Sequence, residues 1–334
     1  MKLLDIVILR SFAIIAVVLY HCYCPWLHAW NWIECEQRPI YSLIFESLLV
    51  GRMPLFVCVS GYLFSYLYHD RHKYQEFCAF FTNKTKRLLV PLVLYSILSC
   101  AILNKNIFDY IIWGKTHLWF IQMLFISFMT CWICAKYVKG KWRFIVLSFF
   151  LFTMFLPNIE LFSIGQYFKY YVFFYIGYLM NLYSNNVSSL IKSDRGLFIN
   201  IAFTIIITLG LVYLYIKSNY SNGDIIHLSK PIVIIRLFLR FYSIYLAFNL
   251  VNVYLKYNDF KNSLIEGLND HSFGIFLFHF LFIQIVNVYF KEAFIDIVDD
   301  HPIIAPLLFF VLIFSLSYFV TNLIRKTKLG QMYL

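Results

Sequence analysis

Residues 9–21 read "LRSFAIIAVVLYH". Between Arg10 and His21 every residue but Ser11 is aliphatic or aromatic. Extended by "LLDIVI" before it and "CYCPW" after it, the run reaches the roughly 20 residues that cross a bilayer as a helix. The stretch is therefore a membrane helix with a permanent cation near one end and a titratable imidazole near the other. Both are costly in lipid, and ionisable groups kept there usually face a bundle interior and mark a functional site.

The rest of the chain repeats the pattern. Of 334 residues, 61% are hydrophobic, 21% aromatic and 13% charged. Soluble domains sit near about 45–50% apolar and about 25% charged. About ten apolar runs are expected to form an all-α bundle of transmembrane helices, at 4–24, 43–67, 88–104, 117–136, 142–157, 164–182, 197–217, 231–254, 271–290 and 302–324. The gaps leave no room for a soluble domain, so residues 1–334 read as a single integral-membrane domain. The first run lacks a small-residue cleavage site and is expected to be retained as a helix.

The net charge of +11 would suit nucleic acid, but its distribution argues for topology instead. With the N-terminus in the cytoplasm, 17 of the 28 lysines and arginines fall in cytoplasmic segments and 7 outside. The remaining four, Arg10, Arg52, Arg236 and Arg240, lie within spans. This imbalance orients the chain with both termini cytoplasmic. The expected partners are membrane lipids and a cytoplasmic anion, not nucleic acid. A helical bundle belongs in an inner membrane, since outer-membrane spans are barrels.

Arg10 and His21 are eleven residues apart, which brings them to within about 20° of each other on one helix face, offset by about 16 Å along the axis. Guanidinium suits a phosphate-bearing ligand at the inner end. Imidazole suits proton transfer further out. The competing reading has Arg10 snorkelling to lipid phosphate and His21 in interfacial water. Arg52 lies near the outer end of the second run and either anchors an outer substrate or reaches to headgroups. Arg236 and Arg240 share one helix face and read either as an acceptor-binding patch or as a snorkelling pair. Ser60-Gly61 reads as a close helix contact. Cys131 and Cys134 form an isolated C-x-x-C without a second pair, and no metal site is expected. Whether Cys22, Cys24 and Cys35 join in a disulfide is left open.

Four stretches together carry a resemblance: "LLDIVILRSFAIIAVVLYH" (3–21), "RMPLFVCVSGYLF" (52–64), "HLWFIQMLF" (117–125) and "HSFGIFLFH" (271–279). In order and spacing they resemble the integral-membrane acyltransferase family 3, bacterial O-acyltransferases of surface polysaccharides. Asp5, Arg10 and His21 match the family's acid–Arg–His pattern. Lys84-Thr85-Lys86-Arg87 stands where the family has an Arg-x-x-Arg pair, and Phe276 where it has Tyr.

The resemblance implies acetyl transfer from cytoplasmic acetyl-CoA, a co-substrate rather than a bound cofactor, to a hydroxyl of a glycan or its lipid-linked precursor. Arg10, Lys84, Arg87 and Trp119 would hold the donor, and Arg52, Arg236 and Arg240 the acceptor. His21 would be the general base. His117, His279 and Asp5 are candidates for supporting or oxyanion-stabilising roles. The alternative is a transporter of a glycan or small anion with intramembrane charges. The absence of a visible inverted repeat in the sequence weighs against it.

Overall fold

The opening stretch forms α1, Leu4–Leu27. Ile6, Leu9, Ala13, Ile14, Val17 and Val18 on α1 are buried in one continuous core. The structure is a computed structural model that describes residues 3–27, 40–41, 44–45, 49–157, 159–220, 231–258 and 262–333; side chains at 211–220, 231–234, 296–300 and 329 lie outside that description.

α2, Arg52–Ser65, opens with Pro54 in its first turn, where the missing N–H costs no helical bond, and widens into a π-helical turn at Tyr66–Asp70. α3, Phe77–Leu103, carries a second π-helical turn at Thr85–Leu89. Pro91 explains that turn. Its ring removes the N–H that would bond the Arg87 carbonyl, and the helix widens just before it. The remaining helices are α4 (Ile107–Ile111), α5 (Trp119–Tyr137), α6 (Trp142–Thr153), α7 (Ile164–Leu182), α8 (Ser184–Ile191) and α9 (Asp194–Tyr220). They are followed by α10 (Pro231–Tyr257), α11 (Ser263–Tyr289), α12 (Lys291–Asp300), α13 (Ile304–Arg325) and α14 (Lys328–Tyr333). No strand occurs among the described residues.

α1 lies at the centre, packed against α2, α10, α11 and α13. Ser11 donates to the Ile265 carbonyl at 3.1 Å and ties α1 to α11. α2 crosses α7 at backbone contact. A Cβ on Gly61 would stand 1.9 Å from the Phe174 carbonyl oxygen, and one on Gly177 1.9 Å from that of Cys58. Only glycine permits this approach on both helices, as the small-residue reading of Gly61 anticipates.

All ten expected runs contain helix. Among the described residues, six helices are long and apolar enough to cross a membrane: Leu4–Leu27, Phe77–Leu103, Trp119–Tyr137, Ile235–Tyr257, Ser263–Tyr289 and Ile304–Arg325. α6 is shorter than a span, and α2 with its π-helical turn ends on the polar His69 and Asp70. α7 is diluted by tyrosines, Gln166 and Lys169. Large apolar side chains such as Phe152, Phe198, Ile199 and Leu308 are exposed on the outside of the bundle. Exposure on that scale is what lipid, not water, requires. The chain is a multi-pass membrane protein.

Candidate active site

Two adjoining cavities open beside the N-terminal half of α1. One spans about 850 Å³, part of it open to the outside, and is lined by Arg10, Lys84 and Arg87 together with Phe56, Ser60, Phe64, Tyr74 and Phe128. The other spans about 900 Å³, likewise partly open, and shares Arg10, adding Arg71, Glu266 and Asp270. Four cations thus face two carboxylates, leaving a net positive basin. The π-helical turn before Pro91 carries Lys84 and Arg87 into it. The Lys84 ammonium sits 3.5 Å from the centre of the Phe128 ring, with Tyr74 at 5.3 Å and Phe80 at 5.8 Å. Three π faces hold the cation without neutralising it. Arg10 lies 5.9 Å over Phe56, and the Asp270 carboxylate is an opposing charge that acts on it. Three of the four residues expected to hold a phosphate-bearing donor therefore meet in one place.

Further along α1, His21 meets two other histidines. His21 Nδ1 lies 2.8 Å from His279 Nε2 on α11, with the rings nearly parallel. His279 Nδ1 is 3.0 Å from the Ile275 carbonyl oxygen. His117, just before α5, packs with its ring centre 5.4 Å from that of His279 and 4.7 Å from that of Phe280. All three are buried. Neither His117 nitrogen makes a hydrogen bond of good geometry among the described residues, although the Leu277 backbone lies near it. Buried polar atoms left in this state need an explanation, and a ligand is one.

None of the three histidines is among the residues that line the basin. Phe56 lines the basin and packs 5.5 Å from Phe120 and 6.4 Å from Phe276. Phe276 in turn lies 5.1 Å from His117 and 5.8 Å from His279. A septum of three phenylalanines thus separates Arg10 from His21, though both face inward along one wall of α1.

The other expected site residues are dispersed. Arg52 stacks 3.5 Å over the Tyr20 ring, the neighbour of His21, and donates to the Leu49 carbonyl. It therefore belongs to the histidine end. Trp119 does not line the basin; it packs 5.3 Å from Tyr170, over which Arg240 lies at 5.9 Å. Arg236 is exposed on α10. Asp5 accepts from the Ile6 amide in the first turn of α1 and turns toward Asn252 and Lys192, away from Arg10. Cys22 and Cys24 are buried free thiols, whereas Cys35 lies outside the described residues. Cys131 and Cys134 are also free and buried, and no cluster suited to a metal ion occurs among the described residues.

The sequence model of acyltransferase family 3, described as an acyltransferase domain, matches residues 3–325. The chain belongs to this family. No curated protein and no solved structure matches it. Membership in acyltransferase family 3 gives the two halves of the site one purpose. A membrane acyltransferase has to hold an acyl donor and move a proton from an acceptor. The basic basin and the histidine cluster are the two places among the described residues whose chemistry suits these two tasks. Tyr74, Phe128 and Asp270 line this acyltransferase's two cavities without having stood out in the sequence. Tyr74 and Phe128 resemble any other aromatic in a chain with 26 Tyr and 37 Phe. Asp270 carried a better signal, as one of only 17 acidic residues and the one directly before "HSFGIFLFH".

Proposed function

We propose that the chain is an O-acetyltransferase of a bacterial inner membrane, with ten membrane helices and both termini in the cytoplasm. It takes acetyl from cytoplasmic acetyl-CoA and passes it to a hydroxyl of a surface polysaccharide or its lipid-linked precursor. The reading is carried by one observation: Arg10, Lys84 and Arg87, distant in sequence, line one basin at the inner end of the helix that bears His21. The phosphates of the donor lie against these cations, Arg10 contributing a bidentate fork and Lys84 a caged point charge. The slim pantetheine arm passes the phenylalanine septum when Phe56 and Phe276 swing aside, and its thioester reaches the histidines. His21 removes the proton from the acceptor hydroxyl, whose oxygen bonds to the thioester carbonyl carbon. The carbon–sulfur bond then breaks, and the thiolate of CoA leaves with the proton from His21. Arg52 and His117 are placed to steady charge on the carbonyl oxygen or the acceptor. Arg236, Arg240 and Trp119 form a more distant acceptor surface.

The test is acetyl transfer from [14C]acetyl-CoA in membranes of the native host, which contain its own glycans. His21→Ala is expected to lower the rate by about 10²–10⁴-fold. Lys84→Ala with Arg87→Ala is expected to raise the KM for acetyl-CoA and largely spare kcat. Unaltered transfer by a folded His21→Ala protein removes the mechanism.

A further inference from the structure

The hydrogen bonds around His279 determine which nitrogen of His21 bears a lone pair. His279 Nδ1 lies 3.0 Å from the carbonyl oxygen of Ile275. A carbonyl can only accept, so this nitrogen carries the hydrogen. A neutral imidazole carries one, so His279 Nε2 is an acceptor. His21 Nδ1, 2.8 Å from it, must donate. The His21 hydrogen is thereby placed on Nδ1, and Nε2 holds the lone pair. The opposite assignment would set a lone pair of His279 Nδ1 against the lone pairs of the carbonyl. Phe280 fixes the ring plane, meeting His21 edge to face at 5.8 Å.

We infer that His279 is a positioning residue that holds His21 as the tautomer with a basic Nε2 and shares the proton His21 acquires. The inference rests on the acyl-transfer reading above. When the acceptor's proton reaches His21 Nε2, His21 becomes an imidazolium whose Nδ1–H bond to His279 Nε2 is charge-assisted. The positive charge spreads over two rings, and His279 keeps its bond to Ile275 whichever ring holds the shared hydrogen. On collapse of the tetrahedral intermediate the proton goes from His21 Nε2 to the CoA sulfur, restoring the resting pair. Among the described residues, the other titratable or charged groups facing the pair include His117 ahead of α5, Arg52 on α2 and Tyr20 on α1, with Tyr95 on α3 beyond His117. His279 Nε2 takes, as acceptor from His21 Nδ1, the place that a carboxylate takes in other base–orienter pairs.

The experiment compares His279→Gln with His279→Leu in the [14C]acetyl-CoA assay across pH. The two replacements have similar volume, but only the amide oxygen can accept from His21 Nδ1. Expected for His279→Gln is a kcat within about tenfold of wild type, and for His279→Leu a loss of about 10²-fold, the low end of what a positioned base contributes. The KM for acetyl-CoA should hold in both. The acid limb of the pH–kcat profile should move to lower pH in His279→Leu, because an imidazolium without its acceptor is less stable. Equal losses in both variants with an unmoved acid limb would mean that His279 only packs, and overturn the inference. If His279→Leu fails to elute as a folded species, the acid limb of His279→Gln decides: a shift from wild type supports proton sharing, and an unchanged limb overturns it. Transfer that needs His21 but is indifferent to both changes removes this inference alone, whereas no transfer by the wild type removes the acyl-transfer reading with it.

Discussion

In the proposed function Arg10 is the residue on which the donor end depends, because it lines both cavities and lies beside Phe56 and Asp270. Its planar fork matters as much as its charge. Arg10→Lys should therefore raise the KM for acetyl-CoA by about tenfold, the worth of one lost charge-assisted hydrogen bond, and Arg10→Ala by more. Steady-state kinetics in detergent would show it; equal KM values for Lys and wild type would reduce Arg10 to a point charge. The shared face of Arg10 and His21 was legible because helical periodicity is a local property of eleven residues. The pairing of His21 with His279 was not, since the two are 258 residues apart in sequence and only the packing of α1 on α11 joins them. Trp119 shows the opposite error. Its neighbours in sequence are site residues, but it faces Tyr170, and a motif cannot say which way a ring points.

At the scale of elements, two backbone devices position the site. The widened turn before Pro91 carries Lys84 and Arg87 into the basin, and the glycine crossing of α2 on α7 fixes the helix that bears Phe56 and Ser60. Pro91 and Gly61 were both visible in the sequence. The consequence of Pro91, a π-helical turn rather than a kink or break, depends on neighbours and was not. Gly61→Ala should lower stability by about 1–3 kcal/mol, because the new methyl meets a backbone carbonyl that cannot rotate away. Gly210→Ala is the control: nothing lies within 4 Å of that position, so it should be neutral or slightly stabilising. Thermal unfolding in detergent compares them, and a Gly61→Ala protein as stable as the Gly210→Ala one would show that the crossing has slack.

At the scale of the whole molecule, two native thiols on α3 report orientation. Cys78 is exposed near the basic end of the helix, and Cys100 is partly exposed near the other. Their separation of 22 residues corresponds to about 33 Å of helix, close to the hydrocarbon thickness. Cys22, Cys24, Cys58, Cys131 and Cys134 are buried and should react slowly. The proposed orientation puts Cys78 in the cytoplasm with Lys84 and Arg87, on the side where the surplus of basic residues is expected. In a Cys35→Ser background, a membrane-impermeant maleimide should then label Cys78 in inside-out vesicles and leave it unlabelled in intact cells. Labelling of Cys78 from outside would invert the bundle. The basin would then face away from the cytoplasmic pool of acetyl-CoA, and the donor would have to be an acyl carrier of the outer compartment.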